Sequence, residues 1–470
     1  MAYKPPSRLQ LLQLSFLVLL SFTLVLHTTL SFAPHLLSSA PMLSSAAVIL
    51  LLLLLLRRRS RLRPAVLLLN YSCYKPPPDR KCSFHVAENF VRGSGLFSDR
   101  SIEFMRNIYL KSGVGDEAYA PPFIFQGFSV PTLKCIMQEA EEGMYSAVDS
   151  VLAKTRVDPT RIDVVIVTCG SFSTSPSLSS YIVNRYKLRP DVKSYNLSGM
   201  GCSSGVLAID MAARILGSGE KVRYALVVIT ENISLNWYFG DNRSMLVSNC
   251  IFRVGCAAAI LTTDPSRRRD AKMELADSLR THHGADDSAY RAAFQEEDEK
   301  GHTGVSLTKD LIRVAGSNLR EHIRILVPRV LPLSQLAQYT YAATVAAVSR
   351  GGRKPAVPDF TAAFEHICIH TGGKAVIEQV GRVLRLGDEV TEPARMTLHR
   401  FGNTSSSLVF YELAYFEAKE RAKRGDKMWM IAFGTGFKVG SLVWRWLRDS
   451  SKECDNPWND CIDKYPLKAW

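Results

Sequence analysis

Cys202 lies in the stretch YNLSGMGCSSGVLAID, Tyr195–Asp210, with glycines at 199, 201 and 205 and serines on either side. Strand-like residues precede it at Asp163–Val167, and a helical pattern of Val206, Ile209, Ala213 and Leu216 follows. A thiol at a strand-to-helix turn meets free backbone N–H groups and a helix dipole, and both favour a thiolate. The glycines would let another molecule approach the backbone closely. The chemistry implied is nucleophilic attack through sulfur. A packed free thiol is the alternative that this stretch alone leaves open.

The elements that would position Cys202 repeat. From about Lys81 the chain alternates strand-like and helix-like segments, the pattern of an α/β domain. Strands are predicted at Asp163–Cys169, Tyr224–Thr230, Cys256–Thr262, His366–His370 and Met428–Phe433. Helices are predicted at Val130–Ala153, Ser203–Leu216, Gly373–Leu386 and Ser407–Arg421. The run NLSGMGCSSGVLAIDMAARIL echoes LHRFGNTSSSLVFYELAYFEA around Asn403: short strand, glycine, one special polar residue, serines, apolar helix. DVVIVTCGSF likewise parallels HICIHTGGKA. Two half-domains of one plan would bring Cys202, His370 and Asn403 to strand ends near a pseudo-twofold axis.

With 470 residues the chain can bury a large core, as one big domain or two fused halves. The net charge of +14 suits an anionic surface or substrate. The longest basic cluster, Arg57–Arg63, abuts a hydrophobic wall, so it points to a membrane and not to nucleic acid. Ten cysteines without CxxC spacing indicate neither a zinc site nor a dense disulfide framework.

Residues 1–63 are a different material. Leu9–Phe32 is mostly apolar, Met42–Leu56 ends in an unbroken leucine run, and no charged side chain lies between Arg8 and Arg57. Each segment approaches the roughly 20 residues that cross a bilayer, the second if Leu36–Ala40 is included. Lys4 and Arg8 at one end and Arg57–Arg63 at the other place both ends in the cytosol, giving a transmembrane helical hairpin. A cleaved signal peptide also fits the first segment, but a second apolar span with a basic stop argues against cleavage. KPPP at Lys75–Pro78 reads as part of a stiff linker over 64–80.

Further motifs carry a family resemblance. IHTGGKAVIEQV, Ile369–Val380, resembles the active-site histidine motif of the thiolase-fold condensing enzymes. FGNTSSS, Phe401–Ser407, resembles their asparagine motif, and IAFGTGFKVGS, Ile431–Ser441, their glycine-rich loop beside the cysteine. LRTHHGADD, FEHICIHTGG and LHRFGNTSSS resemble phrases of the plant 3-ketoacyl-CoA synthases of fatty-acid elongation, as does the paired N-terminal hydrophobic segment. The resemblance spans nearly the whole chain. It implies a thiolase-like fold of two duplicated βαβ halves in αβαβα layers, with Cys202 in the half 81–265 and His370 and Asn403 in the half 266–470.

The resemblance implies a decarboxylative condensation of malonyl-CoA with a long-chain acyl-CoA, needing no metal and no cofactor. Cys202 would carry the acyl group, ionised by a neighbouring imidazole and the helix N-terminus. His370 and Asn403 would donate hydrogen bonds to the enolate oxygen, and the N–H of Cys202 with one from Gly434–Gly436 would form an oxyanion hole. His282, His366 and His399 fall in family phrases treated as active-site positions; for each, a hydrogen-bonded histidine shaping the pocket is the alternative. The sequence departs from the family at Cys256, where a second glycine is usual and crowding of a tight turn is expected, and at His283, where lysine is common. Arg267–Arg269 could meet CoA phosphates, or could be a solvated loop. The family further implies a homodimer, a place in the endoplasmic reticulum membrane with the catalytic domain facing the cytosol, and the ketoacyl reductase, dehydratase and enoyl reductase of elongation as partners. A polyketide-type synthase of the same fold and an inactive membrane scaffold are the competing readings.

Overall fold

A computed structural model describes residues 64–468 apart from 129, 219–221, 333, 340–357 and 371. The expected membrane hairpin, in residues 1–63, lies outside the described residues. Among the described residues no helix is long and apolar enough to cross a membrane.

Nine strands form one hydrogen-bonded ladder. In chain order they are β1 (Leu67–Cys73), β2 (Val164–Cys169), β3 (Lys193–Leu197), β4 (Tyr224–Thr230), β5 (Cys256–Thr262) and β6 (Met273–His282). After a separate hairpin, β7 (Ala293–Glu297) and β8 (Thr303–Leu307), come β9 (His366–Ile369), β10 (Lys427–Gly434) and β11 (Lys438–Trp446). The spatial order is β3-β2-β4-β5-β1-β6-β11-β10-β9. Among the described residues, β1 pairs with β6 in register only through Leu67 and Leu68, so the ladder reads as two half-sheets meeting at that seam. Parallel β2–β4 followed by antiparallel β5 in the first half matches parallel β9–β10 followed by antiparallel β11 in the second. The duplication expected from DVVIVTCGSF and HICIHTGGKA is therefore present: β2 and β9 hold equivalent places.

The sequence explains the layering. VVIVTC and YALVVIT are continuous apolar runs, as parallel strands covered on both faces require. Val164, Ile166 and Val227 face a central layer of helices Ser204–Leu216 and Leu408–Ala418, while Val165, Val167 and Leu226 face helix Leu133–Thr155. Met430, Leu442 and Trp444 of the second half close the central layer from the other side. Leu408–Ala418 is buried along its whole length, and it carries apolar residues all round, as a helix between two sheets must. Helix Leu311–Val330 packs on β6 and β11 outside, completing αβαβα.

Three expectations need correction. The stretch 64–80, expected as a linker, contains β1, which is buried over all seven residues and pairs with β5 and β6. Its leucines belong to the core and do not continue the apolar segment before them. Asn403 follows helix Asp388–Phe401 and not a strand, because Thr391, Ala394, Leu398 and Phe401 are buried at helical spacing. Cys256 opens β5 in extended backbone instead of crowding a turn; it packs against Gly143, where an added Cβ would lie 3.2 Å from its own.

A buried charge cluster ties β1 to the C-terminal half. Lys272 Nζ lies 2.5 Å from Glu417 and 2.7 Å from Glu453, and Tyr71 Oη donates to the other Glu417 oxygen at 2.7 Å. Lys272→Met would leave Glu417 buried and uncompensated, at an expected cost of about 3–5 kcal/mol in equilibrium denaturation. A loss below about 1 kcal/mol would show that the pair is dispensable.

Candidate active site

The carboxyl ends of the parallel strands converge, which is where open α/β sheets place their ligand sites. β2 leads to Gly170 and Ser171, β3 to Cys202, β4 to Glu231, β9 to His370, and β10 to the loop Gly434–Gly436. Cys202 and His370 therefore follow the carboxyl ends of β3 and β9, and Asn403, which follows a helix, is linked to Cys202 through Ser405.

Cys202 lies in a 3-10 turn, Gly201–Ser203, that runs into helix Ser204–Leu216. Gly201 has φ +55°, and an added Cβ would lie 2.6 Å from the Thr435 nitrogen, so only glycine lets the loop come this close. Gly434 is equally constrained, since a Cβ there would enter Ser203 and the Met200 carbonyl. Lys438 Nζ donates to the Thr435 carbonyl at 2.8 Å and holds the loop in place. Gly199, Gly201, Thr435 and Gly436 line a cavity of about 320 Å³ with Cys202. Gly205 packs instead against Ser406 and Ile229 inside the fold.

The cavity holds groups that the sequence reading missed. Ser405, with φ 54°, sits in the left-handed region that a non-glycine residue rarely adopts, and such strain gathers at functional sites. Its Oγ lies 3.5 Å from Cys202 Sγ and 2.9 Å from Glu231 Oε2. Glu231 also accepts from the backbone N–H groups of Gly170 at 3.2 Å and Ser171 at 3.1 Å, and from Ser171 Oγ at 2.5 Å. A carboxylate immediately after a predicted strand, on the same sheet end as the cysteine turn, was the available signal. Ser405 could have been found by the echo with Ser204, each two residues past its special polar residue.

Electrostatics correct the expected resting thiolate. Burial pushes the Cys202 thiol up to about 12, the Ser405 hydroxyl works against that, and the Glu231 carboxylate adds to it. Desolvation outweighs the turn's dipole here. Alkylation of Cys202 by iodoacetamide should therefore rise about tenfold per pH unit from pH 7 to 9 without a plateau. A plateau beginning below pH 7 would contradict a neutral resting thiol.

His370 and Asn403 are almost fully buried, at 2% and 1% exposure. Burial pushes the His370 imidazole down to about 3, so it stays neutral across the physiological range and keeps one N–H donor. Its backbone N–H bonds to the Ile431 carbonyl at 2.9 Å, extending the β9–β10 ladder by one residue. Beneath it, Glu412 accepts from the Ile369 N–H at 2.8 Å, and burial raises this carboxyl well above its ordinary range. Asn403 Oδ1 accepts from the Ser405 N–H at 2.8 Å, and its backbone bonds Ile251 and Arg253 beside the cavity. Neither ring nitrogen of His370 nor Nδ2 of Asn403 has a hydrogen-bond partner among the described residues. Neither residue lines the 320 Å³ cavity. Buried polar groups are normally satisfied, so two unpartnered side chains on neighbouring elements require an explanation.

The other histidines are held elsewhere. His366 sits at the start of β9, with Nε2 2.9 Å from Asp426 at the opposite end of the strand from His370. His399 Nδ1 lies 3.0 Å from Tyr465 Oη, with its ring against Gly115. His282 is exposed at the end of β6, where Nδ1 accepts from the Gly284 N–H at 3.0 Å; burial and then the Lys438 charge lower its pKa. His282 thus reaches the outer side of the Gly434–Gly436 loop, since Gly284 packs between them. His283 bonds Thr281 at 2.9 Å and pairs with Glu321 at 3.3 Å. Arg267–Arg269 follow the far end of β5, away from Cys202; Arg267 pairs with Asp270 and Arg268 with Glu274. Among the described residues no group of three or more His, Cys, Asp or Glu side chains could hold a metal ion.

Residues 56–348 match a family model described as FAE1/type III polyketide synthase-like protein, and residues 361–446 one described as the 3-oxoacyl-[acyl-carrier-protein] synthase III C-terminal region. The chain is 46% identical over 408 residues to 3-ketoacyl-CoA synthase 4 of Arabidopsis thaliana, covering 87% of this chain and 79% of that protein. It is 47% identical over 413 residues to 3-ketoacyl-CoA synthase 11 of the same plant, covering 87% and 80%. The structure resembles the type III polyketide synthase 1,3,6,8-tetrahydroxynaphthalene synthase of Streptomyces coelicolor, with TM-score 0.63, 16% identity, and coverage of 81% of this chain and 99% of that one. A fungal type III polyketide synthase, ORAS, gives TM-score 0.62 at 18% identity, with coverage of 81% and 99%. These structural likenesses show the shared fold.

Proposed function

Because this chain belongs to the FAE1/type III polyketide synthase-like family, among its 3-ketoacyl-CoA synthases, we propose that it condenses malonyl-CoA with a long-chain acyl-CoA. Acyl transfer to Cys202 releases CoA, the thiol proton passing by way of His370 to the departing CoA sulfur. Malonyl-CoA then loses carbon dioxide, and the electrons of that bond enter its thioester carbonyl as an enolate. The neutral His370 N–H and Asn403 Nδ2–H donate to the enolate oxygen, while the Cys202 N–H and one from Gly434–Gly436 hold the tetrahedral oxyanion. The enolate carbon attacks the acyl carbonyl, and the Cys202 sulfur leaves and takes up a proton from solvent, restoring the neutral thiol. The product is a 3-oxoacyl-CoA two carbons longer, the first step of very-long-chain elongation.

The observation that carries this reading is the pair of buried, unpartnered donors on His370 and Asn403 at the sheet end that bears Cys202. His366 and His399, hydrogen-bonded away from that end, are assigned positioning roles, as is His282 behind the glycine loop. No cofactor enters this scheme. Membranes from cells expressing the protein, given labelled malonyl-CoA and a panel of acyl-CoAs, should yield 3-oxoacyl products two carbons longer. Products carrying several malonyl-derived units on a short or aromatic starter would favour the polyketide reading, and no product at all the scaffold reading.

We also propose that residues 1–63 form a two-helix anchor in the endoplasmic reticulum membrane, with the halves 64–265 and 266–470 in the cytosol beside the CoA substrates. The basic flanks Lys4, Arg8 and Arg57–Arg63 support this topology. The acceptor sequences at Asn70, Asn196, Asn232, Asn242 and Asn403 should then carry no glycan, and protease added to sealed microsomes should digest the domain. A glycosidase-sensitive mass shift or full protection would overturn it. A homodimer is supported by β3, which among the described residues is an edge strand paired only with β2, so that a second copy can meet its other edge; a monomeric mass after detergent extraction would oppose it. A 3-oxoacyl-CoA needs reduction, dehydration and a second reduction, so the enzymes of those steps are the proposed partners. Their failure to copurify after crosslinking would count against that.

A further inference from the structure

Trp237 is a shared wall. It lines the 320 Å³ cavity of Cys202 and also a small apolar cavity of about 40 Å³ beneath helices Phe84–Gly93 and Asp99–Lys111. That second cavity is walled by Ala87, Val91, Ile102, Met105 and Cys250, and it shares with the first only Trp237 and Asn249. Asn249 is committed to the backbone: its Oδ1 accepts from the Tyr238 N–H at 3.0 Å and its Nδ2 donates to the Tyr238 carbonyl at 2.8 Å. The main chain beside Trp237 is thereby fixed. The indole meets Phe90 and Phe123 edge-on, at 6.1 and 5.5 Å between centroids, and its buried Nε1 has no hydrogen-bond partner among the described residues. An unpartnered N–H is a standing cost that does nothing to lock the ring in one rotamer.

We propose that Trp237 is the gate that sets acyl-chain length. The acyl tail on Cys202 runs toward the indole, and chains longer than the first cavity holds pass Trp237 into the apolar cavity between the two helices. A hydrocarbon tail gains there what an apolar wall offers, and no polar group of the tail is left unpaired. The inference rests on the condensing-enzyme reading above and adds to it a specificity-determining residue.

The test compares wild type with Trp237→Phe, Trp237→Leu and Trp237→Ala on acyl-CoAs that differ by two carbons. Because one methylene in an apolar pocket is worth about tenfold or more, kcat/KM for the longest chain relative to the shortest should rise at least ~10-fold along the series. The rise should come mainly through KM for long chains. Adding Ala87→Phe to Trp237→Ala refills the second cavity and should return the profile toward wild type. Loading of Cys202 by the shortest acyl-CoA reports folding, and if Trp237→Ala fails it, Trp237→Phe and Trp237→Leu, with Ala87→Phe added to Trp237→Leu, decide. An unchanged length profile in variants that load, or a shift that Ala87→Phe leaves in place, overturns the gate. A wild type inactive on the whole panel would instead sink the condensing-enzyme reading.

Discussion

Cys202→Ser should fold normally and lose condensation by roughly three orders of magnitude or more, measured as label from malonyl-CoA appearing in 3-oxoacyl product. The substitution is nearly isosteric, and the new hydroxyl can keep the contact with Ser405 Oγ, so the turn Gly201–Ser203 has no reason to move. Reactivity is what changes. The wild-type thiol is already pushed up to about 12 by burial, and it functions because sulfur attacks thioesters well and leaves again well. An alcohol in the same site starts from a far higher pKa and is a far poorer nucleophile and leaving group toward an acyl chain. Near-normal synthesis by this variant, with an unchanged thermal midpoint, would remove Cys202 from the chemistry.

Asn403→Asp separates the two half-reactions. Asn403 Oδ1 accepts from the Ser405 N–H, and an aspartate keeps that acceptor, so the strained Ser405 backbone stays in place. The unpartnered Nδ2 donor is lost, and the oxygen replacing it repels a developing enolate. Condensation should fall by about 10²–10³, the usual cost of one oxyanion donor, or further with the added repulsion. Acyl loading of Cys202 should survive within a few fold. If loading falls as far as condensation, Asn403 is holding the turn and not the enolate.

Much of this arrangement was legible in the sequence, and the parts that were not share a cause. The apolar runs of β2, β4 and β5 declare themselves because both faces are buried, and their observed bounds fall within a residue of those predicted. The echo between the Cys202 and Asn403 turns revealed the duplication because both must approach another backbone closely. β1 was hidden by its neighbours: LLLNYSC follows a leucine-rich leader, and composition cannot separate a core strand from an apolar segment before it. β6 is hidden because MELADSLRTH is only partly buried and alternates weakly, and β11 because its start lies in IAFGTGFKVGS, read as a glycine-rich loop, even though the two strands form a long antiparallel pair. His366 was grouped with His370 because a period of two puts both on one face of a strand. Four residues along β9 nevertheless carry it to the other end, where Asp426 binds it. The Glu231–Ser405 pair was invisible because its two halves are 174 residues apart and meet only through the fold. Glu412 gave a readable signal, one of two acidic residues in the mostly apolar run LVFYELAYFEA, and it lies under the strand end that carries His370.

The most direct test of the central claim is to catch the acyl group on the enzyme. The full-length protein in membranes or detergent is incubated with a long-chain acyl-CoA and no malonyl-CoA, then digested and analysed by peptide mass. The account predicts an acyl thioester on the peptide bearing Cys202, discharged when malonyl-CoA is added as a 3-oxoacyl-CoA two carbons longer appears. An acyl group confined to another of the ten cysteines, or product formed while Cys202 never carries one, would contradict it.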